Sequence, residues 1–166
     1  MRLVPLLALF ALAACATLPD ALPSLRYADA ASRGTLASVL AGRPTAAQVE
    51  RTTDAWSMAL GDSFACGVPM RQTVDAGVVG ALEIAAMNAA ASRGGEREIR
   101  EGVGQYIGRL VELAVERRPR PDASRCDALA AWAPHIANEG RETVARARRN
   151  GLMEDEYGLL LQLLSR

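Results

Sequence analysis

The chain has 166 residues, half of them hydrophobic but only 4% aromatic, and its 19 basic and 19 acidic side chains leave no net charge. That balance lacks the basic footprint of a nucleic-acid partner, and a core built from Ala, Leu, Val and Gly with few aromatics speaks against a β-sandwich. Small aliphatics must instead pack closely between helices, which predicts an all-α fold, a helical bundle of four to six mostly antiparallel helices.

In chain order, the first feature is an apolar run from Leu3 to Ala14, preceded by Arg2 and followed by small residues. About a dozen residues is too short for a membrane-spanning helix, which takes roughly 20. Charge, apolar run and small residues come in the order of an export signal. The run closes on Leu12-Ala13-Ala14-Cys15, which resembles the lipobox of bacterial lipoproteins. The resemblance covers the first 15 residues. It implies that residues 1–14 are cleaved, that Cys15 becomes the acylated amino terminus, and that the mature protein is anchored by lipid and faces the periplasm. Three acyl chains exceed the two signals that stable attachment requires. Ala16, rather than Asp, follows the cysteine, which in the enterobacterial version of this class favours the outer membrane over the inner.

Residues 15–25, rich in Ala, Thr, Pro, Asp and Ser, read as a flexible tether, and residues 26–166 as a single α-helical domain without a further stretch apolar enough to span. A short helix is expected from Arg26 or Ser32 to Ala41, where Gly42 and Pro44 stop it. Thr45-Ala46-Ala47-Gln48 predicts a capping box, and Val49, Trp56, Leu60 and Phe64 fall on one face of the helix it opens. From Met70 to Arg93 the chain is apolar nearly all round, the pattern of a helix buried on several sides. After Gly94-Gly95, acids open a helix that two arginines close, each complementing the dipole. Its stripe is Ile99, Val103, Tyr106, Leu110 and Ala114. Close backbone contact of Gly77 and Gly80 with Gly104 and Gly108 is expected to offset the helix cost of these glycines. Ser124 and Asp127 are expected to cap the next helix, which contains Pro134 and ends at Asn150-Gly151. A last helix, about Glu154 to Leu164, presents Tyr157, Leu160, Leu161 and Leu164.

With Cys15 acylated, one cysteine pair remains, Cys66 and Cys126, and in an oxidising compartment a disulfide is the expectation. The competing readings are two buried thiols or half of a metal site. The latter lacks partners, because His135 is the only histidine and no C-x-x-C occurs.

Three candidate sites stand out. His135, with Glu139 four residues on, reads as a surface pair. Glu83 lies in the apolar helix, where a carboxylate must be paired or raised in pKa. Arg117, Arg118, Arg120 and Arg125 cluster around a proline-containing loop, with Arg141, Arg146, Arg148 and Arg149 further on; rigid prolines and guanidinium forks suit recognition of an anionic partner, while several of these arginines simply close helix ends. No catalytic motif is legible and no cofactor or metal is implied. The leading expectation is a non-enzymatic, lipid-anchored binding or assembly partner of an envelope protein. The alternative is a bundle that holds a small apolar ligand or lipid, and an enzyme using Glu83 or His135 ranks third.

Overall fold

A computed structural model describes residues 22–39, 42–117 and 119–155. Cys15, Arg118 and nearly all of the expected last helix lie outside the described residues. Among those residues there are six helical segments and no strand: α1 (Arg26–Ser32), α2 (Leu36–Val39), α3 (Ala46–Ala65), α4 (Met70–Ala91), α5 (Glu96–Glu116) and α6 (Ala123–Arg149). The chain is thus an all-α bundle.

Local chemistry sets most of the boundaries. Thr45 Oγ1 accepts the Gln48 amide at 3.2 Å while Gln48 Oε1 accepts the Thr45 amide at 2.7 Å, the capping box read from the sequence. At the start of α5, Glu98 reaches back to the Gly95 amide at 2.7 Å, and this bond holds its carboxyl down at about 2. The cap of α6 differs from expectation: Asp122, rather than Ser124, accepts the Arg125 amide at 2.8 Å. The loop chain is extended at Asp122, which aims its carboxylate at the first turn.

The single helix expected from Arg26 or Ser32 to Ala41 is broken in two. Gly34 takes φ +69°, its amide donates to Ala31 O and the Thr35 amide to Ala30 O, the paired bonds of a left-handed helix stop. The same motif closes α3 at Gly67 and α6 at Gly151, and it brings Val68 and Leu152 back onto the core. It also closes α4, but there a non-glycine residue, Arg93, holds φ 58°.

α4 is the central element. Met70–Ala91 has the length and composition of a membrane span, with a mean hydropathy of 1.3 over an 18-residue window, contrary to the expectation that nothing after the first 14 residues does; 83% of that window is buried by the rest of the protein. The apolar surface that a bilayer would cover is covered by α1, α3, α5 and α6. Burying it supplies the main driving force of the fold, at roughly 25 cal/mol per Å².

The glycines act differently from the expected pairing across α4 and α5. A Cβ on Gly80 would lie 2.6 Å from the Trp56 ring, so this glycine seats an indole from α3. Gly108 faces open space, Gly102 meets Ala85, and Gly140 of α6 takes Val79 of α4. Trp56 is fully buried and stacks at a tilt on Trp132, with ring centroids 5.5 Å apart. An indole in the middle of the bundle needs a partner helix without a side chain, and Gly80 is that position.

Cys66 and Cys126 form a disulfide with Cα atoms 5.3 Å apart. It ties the end of α3 to the start of α6. Residues 22–25, assigned by composition to the tether, belong to the folded body: Leu25 is buried and the Pro23 carbonyl accepts the Trp132 indole N–H at 2.9 Å.

Candidate functional site

α1 is seven residues long and has no side-chain cap of its own at its first turn. So short a helix is unstable alone. Other helices complete both of its ends. Glu83, from the middle of α4, accepts the Tyr27 amide on Oε1 at 2.9 Å and the Ala28 amide on Oε2 at 2.5 Å. At the other end Asn150 donates to the Ser32 carbonyl at 2.8 Å, and Arg146 reaches both Ser32 Oγ at 3.1 Å and Asp29 Oδ1 at 3.2 Å. A carboxylate at a helix start and an amide donor at its end are what the orphan groups of a helix require.

Glu83 is only 3% exposed. Burial raises its pKa to about 7, against the lowering effect of the two amides and of Arg26, with Asp29 adding to the rise. The carboxyl borders a cleft of about 350 Å³ lined by Leu22, Pro23, Arg26, Tyr27, Arg51 and Met87 among others. Both of its oxygens are already held by backbone amides, so the geometry makes Glu83 a remote helix cap.

The arginine loop is drawn inward. Arg117 pairs with Asp54 at 2.6 Å and Arg125 with Asp62 at 3.0 Å, both carboxylates belonging to α3. Arg120 is exposed. Of the more distant arginines, Arg146 holds α1, and Arg148 meets the Glu154 carbonyl at 3.3 Å and the Asp155 carboxylate at 3.1 Å. His135 is exposed and lies 3.4 Å from Glu139, a surface pair. Among the described residues no group of three His, Cys, Asp or Glu side chains gathers.

Two spaces bear on ligand binding. Between α3, α4 and α5 an apolar cavity measures about 20 Å³, room for about one water. A larger groove, about 880 Å³, runs between the first half of α4 and the middle of α6, with Met70, Val74, Pro134 and Val144 beside Asp75 and Arg141. No family model, no curated protein and no solved structure matches this chain.

Sequence reasoning singled out Glu83 from its apolar surroundings but missed its role, because the amides it caps lie 55 and 56 residues away. The α4/α6 groove was also missed. Its lining is ordinary helix surface until Gly140 sets the approach of the two helices.

Proposed function

We propose that the chain is a lipid-anchored protein of the cell envelope, exported and acylated at Cys15, which acts through its helical body as a binding or assembly partner of another envelope protein. The observation that supports this reading is the Cys66–Cys126 disulfide. Such bonds persist in the periplasm and are rare in the cytosol, which agrees with the address implied by Leu12-Ala13-Ala14-Cys15.

The folded body starts by Leu22, whose side chain packs on the core. Seven peptide steps separate it from Cys15. Fully extended, that stretch spans at most about 25 Å. An acylated Cys15 therefore keeps the domain close to the membrane and brings the α1 side of the bundle nearest the anchor. Arg120, exposed on the loop between α5 and α6, is the described member of the arginine cluster that an acidic partner would touch.

Intact mass analysis of the native product tests the anchor. The expected species starts at Cys15, carries the lipid, and has Cys66 and Cys126 oxidised; an unprocessed polypeptide with reduced thiols overturns the reading. Crosslinking in cells tests the partner: recovery of one dominant envelope protein, weakened by Arg120→Glu, is the expected result, and recovery of none rejects the binding role.

A further inference from the structure

The cleft that Glu83 borders is walled by α1, α3 and α4, and at about 350 Å³ it lies at the small end of ligand pockets. Its charged lining is two arginines, Arg26 of α1 and Arg51 of α3, against the single carboxyl of Glu83, so it stays positive in either protonation state of that group. Both oxygens of Glu83 are taken by the Tyr27 and Ala28 amides. Arg26 lies over the Tyr27 ring, 5.9 Å from its centroid, and neither guanidinium forms an ion pair among the described residues.

The other charged clefts differ. Between α1 and α6 three arginines, Arg26, Arg33 and Arg146, face three acids, and the latter two are spent on Asp29. Beside Pro119, Arg117 is neutralised by Asp54. In the α4/α6 groove the Asp75 carboxylate makes no hydrogen bond among the described residues and would repel an anion.

The neutral polar groups around Arg26 and Arg51 are donors too. Gln48 spends its Oε1 on the Thr45 amide and keeps its NH2 group, and Thr52 adds a hydroxyl. Leu22 and Met87 supply apolar wall. Two guanidinium forks with further N–H and O–H donors suit a phosphate ester better than a carboxylate, because its terminal oxygens accept more bonds and its charge of about −1.5 to −2 matches two arginines.

We propose that the α1/α3/α4 cleft binds a phosphate monoester, its oxygens held by Arg26 and Arg51 and its organic part against Leu22 and Met87. A phosphomonoester lipid headgroup and a soluble glycerol or sugar phosphate share this chemistry. The site stands whether or not Cys15 is acylated. An occupant joins α1 to α3 across the cleft, adding to the docking that Glu83 provides, and so raises the melting temperature.

Titration calorimetry and thermal melts of the full-length native product, with glycerol 3-phosphate and with a soluble short-chain phosphatidic acid, test the proposal. Saturable binding with a raised Tm is the expected result, weakened about tenfold or more by Arg51→Gln or Arg26→Gln, the worth of a hydrogen bond to a charged group. Arg51 is exposed on α3, so its substitution carries the test if Arg26→Gln disturbs α1. Arg71→Gln removes the same charge at the α4/α6 groove and should leave the affinity unchanged. Tighter binding of the phosphatidic acid assigns the site to a lipid headgroup; equal or tighter binding of glycerol 3-phosphate assigns it to a soluble ester. Binding of neither probe overturns the proposal, and so does an equal loss of affinity in Arg51→Gln and Arg71→Gln.

Discussion

Glu83 Oε1 of α4 accepts the backbone amide of Tyr27 at 2.9 Å, so a carboxylate in the most apolar of the described helices starts a helix that lies 56 residues earlier. With the Pro23 carbonyl held by Trp132, the Ser32 carbonyl by Asn150, and Ser32 and Asp29 by Arg146, α1 and its lead-in are docked by side chains from α4, α6 and the turn that closes α6.

Docking through Glu83 makes stability depend on pH. Its pKa is about 7 in the folded protein against an ordinary value of 4.5, with burial as the main cause. Between those values the native state binds the extra proton, so this group's stabilisation is fully present below pH 4.5 and is lost as pH rises through 7. At 1.36 kcal/mol for each pH unit between the two values, the effect is about 3 kcal/mol. Denaturant unfolding at about pH 5 and about pH 8 should show most of this fall in the native chain, and Glu83→Gln should flatten it. Equal pH dependence in the two proteins would refute the assignment.

The disulfide joins residues 60 apart. In the chain-entropy account a loop of that size stabilises the fold by about 4 kcal/mol. Reduction, or the double substitution Cys66→Ser with Cys126→Ser, should lower the denaturant midpoint accordingly. Reductant should leave the midpoint of the double variant unchanged.

Two glycines in adjacent helices should respond in opposite directions. Gly80→Ala drives a methyl to 2.6 Å from the Trp56 ring, an overpacking that costs roughly 1–3 kcal/mol and outweighs the gain in helix propensity. Gly108→Ala enters open space and should raise Tm, worth up to about 1 kcal/mol. A thermal melt of each variant decides.

Arg93 holds φ 58° at the end of α4, where three other helices use glycine. Replacing it by glycine removes a left-handed strain of roughly 1 kcal/mol, less the added freedom of the unfolded chain. Arg93→Gly should therefore be neutral to stabilising, whereas Arg93→Val should lose about 1 kcal/mol or more by chemical denaturation, since a β-branched residue resists that backbone.

The Thr45 capping box, the Asn150-Gly151 stop and the core face of α5 were legible because each depends on residues within a turn or two of one another. The Glu83 cap, the Trp56–Gly80 seat and the Arg117–Asp54 and Arg125–Asp62 pairs were not. Each joins groups from different parts of the chain, and their meeting is decided by how α4 packs rather than by any local pattern.

The sequence alone determined the helical class, most helix boundaries and the cysteine pair, since periodicity, caps and composition act over a few residues. Only the tertiary structure decided which buried groups meet, that the first helix breaks at Gly34 and is held by α4 and α6, and that a groove opens beside Val144. Those outcomes are set by the crossing geometry of the helices, which depends on where a glycine lets a large side chain or a neighbouring backbone come close.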